Sequence, residues 1–327
     1  MNLPDGIAPF LDAAGWGGSH VDPLPGDASF RRYFRITGPQ GAKAMLMHAP
    51  PPHEDPRPFV AVDDYLREHG LRAPEILAQD VDNGFLLIED FGDTRLRDHL
   101  DIAPEDEAAL YQEAVDALVQ LHRCPPGDFD AYDLPTYLRE VGLLTEWYAP
   151  LVGIEPNEQA YVAAWTQVLE PLVKRQGAGV SVLRDYHAEN IMLLAEGGQG
   201  LIDFQDALVG HPAYDLVSLL QDARRDVLPE LEARMIAHYC ASAEAGDDFA
   251  GDYAILGAQR NAKIVGIFCR LFKRDGKPRY LAMIPRVWDA LERDLAHPAL
   301  APVAAWFDAN IPHALRVARG GDLEALA

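Results

Sequence analysis

SVLRDYHAENIMLLAEGGQGLIDFQDALVGHPAYD, residues 181–215, decides how this chain is read. An apolar run at 180–183 has the composition of a buried strand end. A loop bearing Asp185, His187, Glu189 and Asn190 follows it. A second apolar run, 191–194, turns at Gly197-Gly198 and returns through Leu201-Ile202 into Asp203-Phe204. A hairpin of that length brings Asp203 back beside Asn190. Two carboxylates and one amide then converge at strand ends, and all three offer oxygen to a hard cation such as Mg²⁺. Asp-x-x-x-x-Asn alone is a weak signal that a capped polar hairpin also satisfies. Joined to an apolar strand pair and to Ile-Asp-Phe at 202–204, it becomes a strong one.

LRDYHAENIML and LIDFQDALVGHPAYDL resemble the motif of the aminoglycoside phosphotransferase and choline kinase superfamily. The resemblance implies an α+β, two-lobed protein-kinase-like fold. It has a small antiparallel β-sheet N-lobe, residues 1–92, and a larger, mostly helical C-lobe, residues 93–327. It also implies roles. Asp185 accepts the proton of the attacking hydroxyl, while Asn190 and Asp203 hold Mg²⁺ against the phosphates of ATP. GDASFRRYFRI (26–36), MLMHAPPPHED (45–55), FLLIEDFGD (85–93) and QRNAKIVGIFCRLFKRDGKPRYL (259–281) are similar to the bacterial anomeric kinases of N-acetylmuramate and N-acetylglucosamine. That branch implies phosphorylation of a small-molecule sugar at its anomeric hydroxyl, in cell-wall recycling.

Composition narrows the partners. The chain has 327 residues, 49% of them hydrophobic, enough for one large or two moderate domains. Lys plus Arg number 28 against 51 acidic residues, a net charge of −23 that repels nucleic acid and anionic membranes. An anionic substrate therefore needs local positive charge or a metal. Cys124, Cys240 and Cys269 are odd in number and form no C-x-x-C, which argues for reduced thiols and against zinc. No apolar run approaches a membrane span, and MNLPDGIAPF lacks a basic n-region. These features lead us to expect a soluble, cytoplasmic protein with no nucleic-acid, membrane or obligate protein partner.

In the N-terminal third, residues 7–15 suit a short helix, while 30–36, 42–48, 75–79 and 85–89 suit strands. Gly26, Ala28 and Ser29 are small enough for backbone N–H groups to approach a phosphate, although G-x-G-x-x-G is absent. By the resemblance, Gly26 and Ser29 bind the nucleotide, and 89–92, with Glu89 and Phe91, is the hinge whose backbone holds adenine. Two departures stand out. Met47 takes the place of the strand lysine that pairs with the α/β-phosphates, leaving Arg31 or Arg32 to supply that charge, or to be solvated strand arginines. Leu183 stands where the family usually has a loop-bracing His.

From residue 94 the pattern is helical. Residues 106–123 and 156–176 carry apolar stripes read as core. The resemblance implies that Asp215 bonds to catalytic-loop backbone, and from the residues alone it reads equally as a helix N-terminal acid. Residues 252–274 place Gln259, Lys263, Gly266 and Arg270 on one polar stripe, flanked by Arg260. A solvated face is one reading. The other makes Arg260, Lys263 and Arg270 acceptor-binding, with Gly266 admitting a sugar ring close to the backbone. An aminoglycoside or other small-molecule alcohol phosphotransferase and a pseudokinase-like binding module remain alternatives, the latter fed by Met47 and Leu183.

Overall fold

In the computed structural model, which describes residues 3–25, 30–323 and 325, the chain divides into two compact units. Unit one holds residues 1–104 and 189–206, and unit two holds 105–188 and 207–327. The sequence boundary at 92 thus falls inside unit one, which also takes in the returning hairpin of the catalytic segment. Packing accounts for this. Leu193 N donates to Thr94 O (2.8 Å), Leu201 N donates to Arg72 O (2.8 Å), and Arg95 bridges to Met192.

Unit one opens with α1 (Ile7–Ala13) and a five-stranded antiparallel sheet of order β1-β2-β3-β5-β4. The strands are β1 (His20–Pro23), β2 (Arg32–Thr37), β3 (Lys43–His48), β4 (Ile76–Asp80) and β5 (Phe85–Glu89), with α2 (Arg57–Glu68) between β3 and β4. Alternation in β2 and β3 turns Phe34, Ile36, Ala44 and Leu46 onto one core with Ile7, Phe10 and Leu11 of α1. Met47 lies on the opposite face of β3, is 1% exposed, and accepts at sulfur from Tyr33 Oη (3.4 Å). The edge strand β1, four residues long and mostly exposed, carried no periodic signal. Burial of Phe59, Val62 and Leu66 on α2 also draws in Asp63, which is 1% exposed. Neither of its carboxylate oxygens has a hydrogen-bond partner among the described residues. Burial pushes this carboxyl up to about 7, Arg67 opposes the shift, and Asp64 and Glu89 reinforce it.

A short helix, α3 (Leu96–Leu100), closes the first stretch of unit one. Four brief strands lie further on: β6 (Val180–Val182), β7 (Ile191–Leu193), β8 (Gln199–Leu201) and β9 (Leu208–Gly210). The hairpin β7–β8 belongs to unit one, and the pair β6–β9 to unit two.

Unit two is helical: α4 (Glu107–Arg123), α5 (Leu134–Leu143), a π-helical turn (Leu144–Tyr148) running into α6 (Ala149–Leu151), and α7 (Glu158–Gln176). After β9 come α8 (Ala213–Leu220), α9 (Pro229–Ala243), α10 (Phe249–Asp275), α11 (Ile284–Leu295), α12 (Ala301–Asn310) and α13 (His313–Val317). Asp133 and Asn157 cap α5 and α7, accepting from Thr136 N and Ala160 N at 2.9 Å. The longest helix, α10, packs on α5, α8 and α11, and ends at Gly276 in the left-handed conformation. Its polar residues Asp252, Gln259, Arg260 and Asn261 are buried, so much of the presumed solvent stripe is interior. Gly266 also differs from the sequence reading. A Cβ there would lie 2.3 Å from the Leu143 carbonyl carbon, so the missing side chain admits the C-terminal end of α5 and not a sugar ring. No helix among the described residues is long and apolar enough to cross a membrane.

Two stability outcomes follow from this packing. Gly266→Ala improves helix propensity by about 1 kcal/mol, yet it drives a methyl into backbone that cannot rotate away. The net effect should be a loss of roughly 1–3 kcal/mol in urea unfolding, and a gain would show that α5 yields. Asp63 has a folded pKa above its unfolded value, so its contribution to stability is present below about pH 4 and is lost as pH rises through about 7. Asp63→Asn should therefore gain on the wild type between pH 4 and 7 and hold that gain above, by up to about 4 kcal/mol. A pH-independent difference would mean that the carboxyl finds a partner.

Candidate active site

The chain passes from unit two to unit one after Ala188 and back after Asp206, so Asp185 belongs to one unit and Asn190 and Asp203 to the other. In unit one the β7–β8 hairpin returns as its sequence suggests. Ile202 N donates to Asn190 O (3.0 Å), and Asn190 Nδ2 lies 3.4 Å from Asp203 Oδ2. Asp203 has a φ of 61°, unusual for a residue with a side chain. The next residue, Phe204, is buried and packs on Phe59 of α2 with ring centroids 4.9 Å apart. Gln205 Nε2 donates to Asp203 Oδ1 (3.0 Å).

One amide and one carboxylate, the latter 41% exposed, fit Mg²⁺, which keeps several waters and takes its other oxygens from substrate phosphates. No set of three or more His, Cys, Asp and Glu side chains among the described residues could hold a metal by itself. A cation joins this pair: Arg31 Nη2 stands 3.7 Å from Asp203 Oδ1, and Arg31 Nε is buried without a hydrogen-bond partner among the described residues. Arg32 points elsewhere, its Nη2 lying 3.3 Å from His48 Nδ1. The two arginines, equivalent by sequence, are thus told apart. Gly26 and Ser29 lie outside the described residues.

At the end of β5, Arg72 clamps Glu89 with two bonds (2.7 and 2.5 Å), and this pairing holds the Glu89 carboxyl below its ordinary range. The Arg72 guanidinium also covers the Phe91 ring at 4.7 Å. A Cβ on Gly200 would lie 2.6 Å from the Phe91 ring, so that glycine is what lets the ring seat on β8. Asp90 takes Arg35 (2.8 Å) and the amide of Gly92 (2.9 Å). Side chains along 89–92 are therefore held within the protein.

In unit two the turn before Asp185 is held from several sides. Arg184 adopts a φ of 70°, a left-handed backbone that costs an ordinary residue roughly 1–2 kcal/mol. Asp215, fully buried at the start of α8, accepts from Leu183 N (2.6 Å) and Arg184 N (2.8 Å). Its role is thus to hold the loop and not simply to face a helix dipole. Burial pushes its carboxyl up to about 7 against these two amides. Ser218 Oγ donates to Arg184 O (3.1 Å) and receives Arg260 Nη2 (2.8 Å). His187, two residues beyond Asp185, has its Nε2 3.2 Å from Arg224 Nη1.

The three cations of the α10 stripe do not share one environment. Arg260 is 4% exposed and engages Ser218, and Lys263 Nζ pairs with Glu140 (2.8 Å). Arg270, two turns further on, is half-buried with its Nε lacking a hydrogen-bond partner among the described residues. Sequence reasoning overlooked Glu140, Ser218 and Arg224. A signal existed for the first: Tyr137, Glu140, Val141 and Leu144 repeat at helical spacing, which sets an acid on an apolar face. Ser218 inside the otherwise apolar run of α8 was a fainter one.

Residues 20–252 match the family model described as "Phosphotransferase enzyme family". A Caulobacter vibrioides protein named N-acetylmuramate/N-acetylglucosamine kinase is 36% identical, covering 93% of this chain and 96% of its own length. A Pseudomonas aeruginosa protein of the same name is 39% identical, covering 88% of this chain and 89% of its own. Among solved structures, choline kinase from Streptococcus pneumoniae superposes with a TM-score of 0.63 at 14% identity, over 84% of this chain and 93% of that one. An ADP-bound aminoglycoside phosphotransferase gives 0.56 at 14%, over 84% and 92%. These likenesses establish the kinase-like α+β fold, and with the matched span and the two relatives the chain belongs to the phosphotransferase enzyme family.

Proposed function

We propose that this chain is an ATP- and Mg²⁺-dependent kinase that phosphorylates the anomeric hydroxyl of N-acetylmuramate and N-acetylglucosamine, in the cytoplasm and in the service of cell-wall recycling. One observation carries the reading. Relatives named for that activity align along most of the chain, and the sequence carries all of Asp185, Asn190 and Asp203. A pseudokinase has no physical need for all three.

In this reading Asp185 accepts the hydroxyl proton as the sugar oxygen bonds to the γ-phosphorus, and the bond to the β–γ bridging oxygen breaks to release ADP. The anomeric hydroxyl is the most acidic on the sugar, so a carboxylate base suffices. Asn190 and Asp203 would hold Mg²⁺, which neutralises phosphate charge when bound. Arg31, beside Asp203, takes the part of the missing strand lysine at Met47. Gly26 and Ser29 would approach the phosphates through their backbone. The backbone of 89–91 would hold adenine, with the Glu89 and Phe91 side chains already engaged by Arg72. Arg270 is the member of the basic stripe best left to meet the lactyl carboxylate of muramate.

An acceptor panel tests the whole reading. The product with either sugar should be a 1-phosphate by ³¹P NMR, and the reduced alditols should not react. Phosphorylation of kanamycin-like amines with neither sugar turned over would overturn the acceptor and leave the phosphotransfer. Asp185→Asn should abolish turnover while Mg²⁺-ATP binding stays within a few-fold, and near wild-type kcat would remove Asp185 as base. Asp203→Ala should lose the metal-dependent part of nucleotide affinity. Arg31→Ala should raise the KM for ATP about ten- to hundredfold, as loss of a charged hydrogen bond does, with Arg32→Ala close to wild type. Equal behaviour of the two would put the phosphate charge elsewhere.

A further inference from the structure

The geometry points to Glu140 of α5 as a positioning residue that sets the catalytic turn through Arg184. Glu140 is 5% exposed and collects four donors from three segments: Tyr132 Oη, Arg184 Nη2 (2.5 Å), and from α10 both Lys263 Nζ (2.8 Å) and Gln259 Nε2 (3.2 Å). Burial pushes its carboxyl up, but Lys263 and Arg184 outweigh that and keep it below the ordinary carboxylate range. A buried carboxylate between two cations is the junction of the cluster, because without it Arg184 and Lys263 would face each other as unmatched like charges.

What Glu140 holds is the residue that needs holding. Arg184 carries the left-handed backbone and immediately precedes Asp185. Asp215 and Ser218 grip its main chain, and Glu140 grips its guanidinium, which also lies over the Tyr132 ring at 5.6 Å. Main chain and side chain are thereby fixed from α8 and α5. Lys263 takes part through Glu140 and through Tyr214 Oη (3.3 Å), and Arg260 through Ser218. Leu183, where the family usually has a bracing His, is buried and braces the turn through its backbone alone, its amide donating to Asp215 and its carbonyl accepting from Asp185 N (2.8 Å). The Glu140 cluster does the bracing that an imidazole would otherwise do. This assigns Lys263 to the positioning of the base and removes it from contact with the acceptor.

The kinetic arm rests on the proposed acceptors, and the exchange arm does not. Glu140→Gln keeps the shape and removes the charge. It should lower kcat about ten- to hundredfold while KM for ATP and for each sugar stays within about threefold, because a misaimed base loses transition-state and not ground-state interactions. Lys263→Met should lower kcat equally on N-acetylmuramate and N-acetylglucosamine. Adding Lys263→Met to Glu140→Gln should cost less than the product of the single effects, since the second change removes the stranded charge. Amide hydrogen exchange at Leu183 and Arg184 should rise at least about tenfold in Glu140→Gln, a local opening that is read without any acceptor. Val303→Ala, a cavity change in the buried face of α12, controls for stability alone and should leave kcat per folded molecule unchanged. A KM increase for muramate alone in Lys263→Met would make Lys263 an acceptor residue and overturn the proposal. Unchanged exchange at 183–184, or faster exchange with full kcat, would overturn it too. A wild type inactive on both sugars but with the expected exchange behaviour would sink the acceptor reading and leave the brace standing.

Discussion

The constraint on which the second unit depends is the left-handed turn at Arg184. In the proposed reading Asp185 is the base and its carboxylate must be aimed, and the residue before it sits in a conformation that a side chain resists. Two amides on one buried carboxylate, a hydroxyl on the carbonyl and a second carboxylate on the guanidinium offset that resistance. The surrounding helices look different in this light. α8 is apolar almost throughout because its two polar residues, Asp215 and Ser218, both turn toward this one loop. α10 runs through the interior in part because Gln259, Arg260 and Lys263 must reach the same cluster.

How much of this was legible varies with the kind of information each residue carries. The meeting of Asn190 with Asp203 was readable because hairpin length fixes which residues meet, and the structure brings the two to 3.4 Å. The strands β2, β3, β4 and β5 fell within two residues of their expected bounds, since alternation and turn residues are local signals. Choosing between Arg31 and Arg32 was not possible from sequence. Neighbours on a strand face opposite ways, and which way depends on the register, here Arg32 opposite His48.

The α10 stripe shows a different failure. Basic residues at helical spacing look the same whether they meet water, a ligand or a buried acid, because the pattern records one helix and not its partner. Glu140 lies more than a hundred residues before Lys263 in the chain, and only tertiary packing pairs them. Gly266 misled for a related reason. A mid-helix glycine announces a close approach, and the approaching group proved to be the α5 backbone. Gly257 repeats the lesson, for a Cβ there would meet Asp294 Oδ2 at 2.4 Å.

Charge ties these observations together. In a chain of net charge −23, a cation near a carboxylate is the common case, and most arginines here are paired inside the protein. Anionic phosphates meet a field that repels them, so attraction must be local and short-ranged. In the proposed reading, Arg31, 3.7 Å from Asp203, and a cation held by Asn190 and Asp203 would offer that in unit one, where the strand lysine is absent. On α2, Arg67 only partly opposes the effect of burial on Asp63, and a protonated carboxyl is the form that burial tolerates. The positive charge that a strand lysine would carry moves, in the proposed reading, to Arg31, 3.7 Å from the carboxylate that would hold the metal.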